Sequence, residues 1–301
     1  MTQAKIRADW IAVDWGTSNM RAWAMSASGT ILAEATSNQG MGKLSRDGFE
    51  PALLASVSDW VDGPTTVIAC GMVGSRQGWV EAPYAAVPCA TLPEGLVQAP
   101  TTHPGLTVHV IPGIKQTDPA DVMRGEETQI SGFLARNKNW NGVICLPGTH
   151  TKWVHISADE VVSFQTFMTG ELFDTIATQT VLRHSIAADG WDEAAFAAGL
   201  DMGLSRPERL AARLFSLRAN GLLNDMSGTA ARAQLSGLLI GTELAAAKPY
   251  WLGQQIAVIG DSKLAKLYVD ALATQAAPAT QVNASSITLA GLTAAYQRLK
   301  G

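Results

Sequence analysis

The sequence predicts an α/β protein of two lobes, each built on a mixed five-stranded sheet with helices packed against it. Two observations support this fold class. Hydrophobic periodicity gives the same order of elements twice, namely three strands followed by helix, strand, helix, strand and helix. Each half also opens with an apolar strand that leads into a glycine-bearing turn, at Gly16 and at Gly148. Such a duplicated architecture favours a ligand cleft between the lobes.

The predicted elements follow one another along the chain. The first half gives strands near 9–14, 20–25 and 30–36, a helix near 48–60, a strand at 65–70, a Pro/Gly-rich excursion, a strand at 107–111 and a helix from about 122. The second half gives strands near 142–146, 151–156 and 161–167, helices near 171–182, 192–203, 207–219 and 228–247, a strand at 255–260, a helix at 262–274, a strand at 279–283 and a last helix at 286–299.

These elements predict two domains. An N-terminal lobe spans 1–118 and a C-terminal lobe spans 119–301, with a linker near 113–121. The final helix, 286–299, is expected to connect back towards the N-terminal lobe. The 301 residues are 47% hydrophobic, which is ample for cores of this size.

Composition favours small-molecule partners. The formal net charge is only −4, and no run of Lys or Arg offers a surface to nucleic acid or to an anionic membrane. The N-terminal residues have no apolar signal segment, and Asp14 interrupts the first apolar run, so we expect a cytoplasmic protein. Cys70, Cys89 and Cys145 are widely spaced and predict buried thiols rather than disulfides or a zinc site. A homodimer is the expected oligomer.

The turn after the first strand has the composition of a phosphate-binding hairpin. Gly16 lets the backbone approach a polyphosphate, and the amides and hydroxyls of Thr17 and Ser18 can donate to its oxygens. Asp14 can hold Mg²⁺ directly or through water. The alternative is an ordinary hairpin in which Asp and Gly only shape the turn. A second turn with Gly148 and Thr149 strengthens the phosphate interpretation, because two such turns predict two lobes facing one nucleotide.

Seven short motifs, taken together, form a specific set; they lie at residues 14–16, 71–75, 78–79, 82–84, 124–129, 147–150 with 152–153, and 168–172. The set resembles the 2-dehydro-3-deoxygalactonokinase family of galactonate catabolism. That family is similar to the acetate and sugar kinases, heat-shock chaperones and actin, whose two lobes are ribonuclease H-like. The resemblance implies ATP and Mg²⁺ as cofactors and phosphorylation of the 6-hydroxyl of 2-dehydro-3-deoxy-D-galactonate.

The resemblance also implies roles for particular residues. Gly260, Asp261 and Ser262 follow a strand and begin a helix, as the adenosine loop of the superfamily does, although Gly260-Asp261 replaces its common Gly-Gly pair. Leu146 stands where many relatives carry Asp, so metal binding must depend mainly on Asp14. Arg21 and Lys152 are candidate cationic supports for phosphate, with solvated strand-end charges as the alternative.

The segment 124–129 begins a helix and places two carboxylates in the favourable field of the helix N-terminus. Relatives place their catalytic acid at a comparable helix start. Glu126 is therefore the first candidate for the general base and Glu127 the second. The alternative is that one or both only cap the helix.

The Pro/Gly-rich excursion supplies the candidate sugar-acid site. Its polar and aromatic side chains, together with Arg124, can bind hydroxyls and neutralise a carboxylate. The candidate substrate-binding residues are Ser75, Arg76, Gln77, Trp79, Tyr84 and Arg124. A surface position for Arg76 and a core position for Trp79 are the structural alternatives.

Other functions remain to be compared with this one. A serine hydrolase with Ser262 as nucleophile is disfavoured because no histidine follows it, His184 being the last. A non-catalytic, nucleotide-gated sensor of the same fold is disfavoured, because the sequence shows no separate partner-binding domain. A kinase for another ketodeoxy sugar acid or aldonate is the nearest alternative. P-loop kinases are disfavoured, since the glycines near Lys43 lack the required spacing.

Overall fold

A computed structural model describes residues 6–301, which form two compact units. The first unit comprises residues up to Trp140, together with Ile156–Ser163 and Ala284–Gly301. The second comprises Asn141–His155 and Phe164–Asn283. The first unit thus continues past the boundary predicted at 118, and it includes the last helix of the chain.

Most of the strands and helices of residues 6–301 lie close to the predicted segments. The strands are β1 (Trp10–Trp15), β2 (Met20–Met25), β3 (Ile31–Ser37), β4 (Thr65–Gly71), β5 (Tyr84–Ala86), β6 (Cys89–Ala90), β7 (Val97–Gln98), β8 (Leu106–Val110), β9 (Gly113–Thr117), β10 (Ala120–Met123), β11 (Gly142–Leu146), β12 (Thr151–Ser157), β13 (Glu160–Phe167), β14 (Ile256–Gly260) and β15 (Ala279–Asn283). The helices are α1 (Phe49–Val57), α2 (Glu126–Arg136), α3 (Thr169–Gln179), α4 (Glu193–Ser205), α5 (Leu210–Leu223), α6 (Gly228–Ala246), α7 (Lys248–Trp251), α8 (Ser262–Thr274) and α9 (Ala284–Lys300).

The main sheet of the first unit has six strands within the described residues, in the order β3-β2-β1-β4-β8-β7. Strand β1 runs antiparallel to β2 and parallel to β4, and β4 runs parallel to β8. This register places Asp14 opposite Arg21 on one side and opposite Cys70 on the other. One carboxylate is thereby fixed at the end of three neighbouring strands.

Strand β1 is buried on both of its faces. Ile11, Val13 and Trp15 belong to a core that includes Phe49 and Leu53 of α1. Trp10 and Ala12 point the other way, into a core shared with α9, where the Trp10 ring stacks on Tyr296 with centroids 4.4 Å apart. Burial on both faces explains why the strand is a continuous apolar run without alternation.

The segment predicted as a linker is folded. Strands β9 and β10 form an antiparallel hairpin, and β5 joins β9 in a small third sheet. Helix α2 consequently begins at Glu126 rather than near 122. Between β4 and β8, where a Pro/Gly-rich excursion was predicted, the described chain forms the short strands β5, β6 and β7. These additions explain why the first unit extends to Trp140.

Helices α2 and α9 pack backbone against backbone. A Cβ built at Gly132 would lie 2.0 Å from the carbonyl oxygen of Ile287, and one built at Gly291 would lie 1.9 Å from that of Thr128. Real Cβ atoms do not approach backbone this closely, so the crossing requires glycine on both helices. The contact at Thr128 fixes the beginning of α2, where Glu126 and Glu127 lie.

The second main sheet contains β11 to β15 in the order β15-β14-β11-β12-β13. The second unit includes β11, β14 and β15, together with the residues of β12 up to His155 and those of β13 from Phe164. Strand β14 runs parallel to both β11 and β15. All five residues of β11 and of β14 are buried, as expected of central strands covered on both faces. Helices α4, α6 and α8 contribute to the core around Trp153 and Tyr268.

Each main sheet contains the five predicted strands and one short further strand, β7 in the first and β6 in the second. The predicted mixed α/β class is confirmed. No helix within residues 6–301 is both long and apolar enough to cross a membrane. The cysteines follow the prediction of buried thiols: Cys70 and Cys145 are buried and Cys89 is half-buried, and burial raises the pKa of each thiol.

Candidate functional site

Asp14 lies at the end of β1 within a small polar cluster. Its Oδ2 accepts a 2.7 Å hydrogen bond from Arg21 Nη2, and Cys70 Sγ lies 3.9 Å from its Oδ1. Arg21 Nη1 also donates to Ser285 Oγ at 2.6 Å. Arg21 therefore orients the carboxylate that was predicted to hold metal, and two of its guanidinium nitrogens are used within the first unit.

The Asp14 side chain remains 22% exposed, so a hydrated cation can reach it. No group of three or more His, Cys, Asp or Glu side chains within residues 6–301 is arranged to hold a metal ion. This donor set fits Mg²⁺, which keeps several waters and takes one or two carboxylates together with substrate phosphates. It does not resemble a closed structural metal site.

The start of α2 reaches the same region through two glycines. A Cβ built at Gly125 would lie 3.3 Å from the Cα of Gly71, and Gly71 lies opposite Trp15 in the register of β1 and β4. The first turn of α2 is thereby brought to the end of β4, next to Cys70. Burial is the largest cause of the raised pKa of the Cys70 thiol. The carboxylates of Asp14 and Glu127 lie close enough to raise that pKa further.

The two glutamates of α2 have different surroundings. Glu127 is fully buried; its Oε2 accepts a 2.6 Å hydrogen bond from Gly125 N, and its Oε1 accepts one of 3.1 Å from Thr128 Oγ1. Burial raises the Glu127 pKa to about 7, and the neighbouring Glu126 adds to the rise. Glu126 is only partly buried, and its Oε2 accepts a 3.0 Å hydrogen bond from Arg124 N. Glu127 thus has the surroundings of a helix cap, whereas Glu126 is the more accessible of the two.

The first predicted phosphate turn is held from one side by residues 40–42. The amides of Met41 and Gly42 donate to the carbonyl oxygens of Gly16 and Thr17 at 3.0 and 2.9 Å. The Thr17 and Ser18 side chains are exposed. A Cβ at Gly16 would meet only Asn19 O, at an ordinary contact distance of 3.5 Å. The local packing therefore does not require glycine at position 16, which agrees with a turn shaped for a ligand.

Arg124 is buried but incompletely hydrogen bonded. Its Nη2 donates to Ala82 O at 2.7 Å, its Nε donates to Tyr84 Oη at 3.4 Å, and its guanidinium carbon lies 4.2 Å from the centre of the Tyr84 ring. Among the described residues, Arg124 Nη1 has no hydrogen-bond partner, and neither has the buried Ser75 Oγ. Arg124 Nη1 lies 2.9 Å from where a Cβ would stand at Gly74, the residue before Ser75. The two unpartnered groups therefore belong to one region.

The remaining residues of the predicted sugar-acid site lie elsewhere. Trp79 is 3% exposed and packs with Trp15 and Phe49, and its Nε1 donates to Pro100 O, so its prediction as a substrate platform is wrong and the core alternative is correct. Arg76 is 80% exposed and pairs with Glu81 at 3.4 Å, and Gln77 is exposed beside it. Among the described residues, no contact links the side chain of Arg76 or of Gln77 to the region of Arg124.

The second predicted phosphate turn joins β11 to β12. Gly148 has nothing within 4 Å of a built Cβ, and Thr149 is exposed. Lys152, in contrast, is buried at 5% exposure. The backbone of the turn contacts α3, because Glu171 N donates to Thr149 O at 2.9 Å. A side-chain contact joins the same two elements, since His150 Nε2 lies 2.5 Å from Glu171 Oε2.

The candidate adenosine loop lies beside this turn. A Cβ at Gly260 would lie 3.1 Å from Pro147 Cγ, as expected where two parallel strands end together. Asp261 caps α8, since its Oδ1 accepts from the amides of Lys263 and Leu264. Ser262 is exposed as the first residue of that helix. The second unit therefore brings together the turn at Gly148 and the loop at Gly260.

Sequence reasoning did not identify Glu243, which is buried at 3% exposure on α6 near the second turn. It also did not anticipate the surface cavity of about 340 Å³ lined in part by Leu92, His109 and Arg298, which contains none of the predicted site residues. The hydrogen bonds of Glu243 reach β12 and α3, the two elements that adjoin the Gly148 turn.

Comparison with known proteins gives a consistent assignment. A family model described as 2-keto-3-deoxy-galactonokinase matches residues 14–295. A protein of Rhizobium meliloti (strain 1021), named a probable 2-dehydro-3-deoxygalactonokinase, is 42% identical over 299 residues, which are 96% of each chain. The 2-dehydro-3-deoxygalactonokinase of Escherichia coli (strain K12) is 35% identical over 292 residues, 95% of this chain and 96% of that one. The chain belongs to the 2-keto-3-deoxy-galactonokinase family.

Solved structures agree with this family. A Sinorhizobium meliloti protein named for the same kinase activity aligns with a TM-score of 0.89 at 39% identity, covering 96% of each chain. Component A of the Acidaminococcus fermentans (R)-2-hydroxyglutaryl-CoA dehydratase aligns with a TM-score of 0.55 at 11% identity, covering 97% of this chain and 99% of that one, and shows likeness of fold alone. Membership of the 2-keto-3-deoxy-galactonokinase family confirms the resemblance inferred from the seven motifs.

Proposed function

We propose that this protein transfers the γ-phosphoryl group of ATP, with Mg²⁺, to the 6-hydroxyl of 2-dehydro-3-deoxy-D-galactonate. Family membership over nearly the whole chain supports a sugar-acid kinase. The observation that carries the choice of an acid as acceptor is the buried Arg124 Nη1, which has no hydrogen-bond partner among the described residues.

A buried guanidinium N–H without a partner is costly unless a ligand completes it. The partners of Arg124 are uncharged, namely the Ala82 carbonyl and the Tyr84 hydroxyl and ring. A carboxylate bound at Nη1 would supply both the missing acceptor and the missing negative charge. Ser75 Oγ, also without a described partner, would donate to the same end of the substrate.

The first unit also contains the glutamates proposed to act near the acid. Glu126 is two residues from Arg124 and accessible, and we assign it the role of general base. In the transfer, the 6-oxygen of the acid forms a bond to the γ-phosphorus, while the bond to the oxygen bridging the β-phosphorus breaks. The proton of the 6-hydroxyl passes to the Glu126 carboxylate. Glu127 shapes the start of α2 through its hydrogen bond to Gly125 N.

Each unit presents one glycine-bearing turn that is a candidate for phosphate binding. Thr17 and Ser18 in one unit, and Thr149 in the other, present exposed hydroxyls. Mg²⁺ would be held by Asp14 and would neutralise phosphate charge. Gly260, Asp261 and Ser262 are proposed to bind the nucleoside. The proposal thus assigns acid binding to the first unit and nucleoside binding to the second, and it includes a homodimer as the assembly.

The activity is tested by a coupled ATP-consumption assay on a set of acceptors. The set contains 2-dehydro-3-deoxy-D-galactonate, its 4-epimer 2-dehydro-3-deoxy-D-gluconate, D-galactonate and neutral D-galactose. We expect the first acid to give the highest kcat/KM and galactose to give no turnover. Preference for another acid would favour the alternative, a kinase for a different ketodeoxy acid or aldonate, and no turnover with any acid would overturn the proposed function.

The role of Arg124 is tested by Arg124→Met, with Arg76→Met as the matched control. Removal of the buried charge should raise KM for the acid by roughly tenfold or more, with KM for ATP nearly unchanged. Arg76 is exposed and pairs with Glu81, so its substitution should leave both constants within about twofold. Equal effects of the two substitutions would remove Arg124 from the acid site.

A further inference from the structure

The Glu243 carboxylate on α6 is the centre of a buried hydrogen-bond network in the second unit. Its Oε1 accepts a 2.8 Å bond from Trp153 Nε1. Its Oε2 accepts a 2.8 Å bond from Tyr268 Oη and a further bond from Thr169 Oγ1. Tyr268 Oη in turn lies 3.1 Å from Thr151 Oγ1. One side chain thereby joins β12, α3 and α8.

Several hydroxyl and indole groups of this network lie on β12 and α3, the two elements that adjoin the turn at Gly148. Thr151 and Trp153 are the first and third residues of β12, directly after the turn. Thr169 is the first residue of α3, and the next residue, Gly170, packs on the turn so closely that a built Cβ would lie 2.3 Å from Gly148 O. Thr169 is therefore adjacent to a residue that packs directly on the backbone of the turn.

A buried carboxylate in this position is costly unless its hydrogen bonds are complete. Burial raises the Glu243 pKa to about 7, whereas the bonds from Thr169, Trp153, Tyr268 and Thr151 oppose the rise. A hydrophobic residue would fill the same volume without this cost. The presence of the Glu243 carboxylate is explained if its hydrogen bonds determine the positions of β12, α3 and α8.

We propose that Glu243 is a positioning residue for nucleotide binding, which holds β12 and α3 so that the Gly148–His150 turn keeps its phosphate-binding conformation. The inference rests on the proposed function only in requiring that ATP binds at this turn. Glu243 does not touch the nucleotide in this proposal. It acts through Thr169, Thr151 and Trp153.

The test compares Glu243→Gln with a matched control on the same helix. Gln keeps one acceptor oxygen for Trp153 Nε1, but its NH₂ group would face the Thr169 and Tyr268 hydroxyls, which would have to reorient from donors to acceptors. The control is Gln234→Met, because Gln234 is also buried on α6 at 7% exposure and its Oε1 has no partner among the described residues. Titration calorimetry with Mg-ATP, without any sugar acid, gives the Kd and the fraction of protein that binds.

We expect Glu243→Gln to raise the Kd for Mg-ATP by roughly tenfold or more, at full stoichiometry, and Gln234→Met to leave it within about twofold. In turnover assays KM for ATP should rise while kcat changes less than about threefold. A merely structural role would lower the binding-competent fraction with Kd and KM unchanged. A folded Glu243→Gln variant with wild-type Kd would overturn the proposal.

If Glu243→Gln does not fold, two milder substitutions test the positioning role of Glu243. Thr169→Val and Tyr268→Phe each remove one donor and nearly preserve volume, and each should raise Kd about threefold or more. Unchanged Kd in both would overturn the proposal, as would a wild-type protein that binds no Mg-ATP. A wild-type protein that binds Mg-ATP but phosphorylates no acid would contradict only the proposed function.

Discussion

Glu126 and Glu127 are adjacent in the chain but differ in burial and in hydrogen bonding. Glu127 is fully buried and bound to Gly125 N and Thr128 Oγ1, so it has little capacity left for a substrate. Glu126, whose carboxylate accepts a hydrogen bond from Arg124 N, is partly exposed. The sequence names both glutamates as candidates, since both stand in the first turn of a helix. Only the fold distinguishes them, because the helix turns successive side chains by about 100°.

Substitution of Glu126 by Gln should lower kcat by about a hundredfold or more, because the amide cannot accept the proton of the attacking hydroxyl. The Gln oxygen can still accept the bond from Arg124 N, so the Tm should change little. Steady-state kinetics and thermal unfolding measure the two effects. In Glu127→Gln we expect a loss in kcat of less than about tenfold. A larger loss in Glu127→Gln than in Glu126→Gln would transfer the role of base to Glu127.

At the scale of elements, the turns and the helix crossing use glycine for different reasons. Gly148 meets nothing within 4 Å, whereas Gly170, which packs on the same turn, has no room for a Cβ. Gly132 and Gly291 allow α2 and α9 to approach at the backbone. A glycine without a packing reason, in a turn next to Thr149, is the one expected to make room for a ligand.

Gly148→Ala should leave stability unchanged or slightly higher, since the added methyl group occupies open space and restricts the unfolded chain. It should raise the Kd for Mg-ATP by roughly tenfold if phosphate approaches the turn closely. Gly170→Ala should lower the Tm clearly, because its Cβ would stand 2.3 Å from Gly148 O. Calorimetry and thermal unfolding of both variants provide the test. Wild-type affinity in Gly148→Ala would show that phosphate does not approach this backbone.

Gly291→Ala should destabilise the first unit by at least about 2 kcal/mol, because its Cβ would overlap Thr128 O at 1.9 Å and force α2 and α9 apart. Since Thr128 follows Glu127, kcat should fall as well. Urea unfolding and steady-state kinetics measure both losses. Exposed Gln297 on the same helix is the control, and its substitution by Ala should change stability by less than about 0.5 kcal/mol. Similar stability of the two variants would contradict the close crossing.

At the scale of the whole molecule, the central strands β1, β4, β11 and β14 were predictable because they are buried apolar runs that end at Gly or Pro. Strands β9 and β10 were not, since they form a small separate sheet in which three of the five β9 residues and one of the four β10 residues are buried. Trp79 could not be placed from sequence, because an aromatic residue in a Gly/Pro-rich segment reads alike whether it faces a ligand or the core. Glu243 was missed because its donors Thr169 and Trp153 lie 74 and 90 residues away.

The stability of the molecule should decrease as pH rises from about 4.5 to about 7. Burial raises the pKa of both Glu127 and Glu243 from 4.5 to about 7. A carboxyl group with a raised pKa in the folded state contributes stability that is complete below its unfolded pKa. That contribution is lost as pH rises through the folded pKa. The loss should be on the order of a few kcal/mol for the two groups together.

Urea unfolding of the nucleotide-free protein at pH 5 and pH 8 measures this difference. In Glu127→Gln and in Glu243→Gln the fall in unfolding free energy between these pH values should be smaller than in the wild type, because Gln does not titrate. Identical falls in all three proteins would mean that neither carboxyl group has a raised pKa.

The unequal burial of the three thiols gives the molecule one favoured point of attachment. Cys70 and Cys145 are shielded and hold their protons tightly, whereas Cys89 on β6 is only half-buried. A maleimide fluorophore should therefore modify Cys89 first in the native protein, without any engineered cysteine. Peptide mass mapping after brief exposure to the reagent would identify the labelled position, and the chain would then carry a single optical reporter for nucleotide titrations.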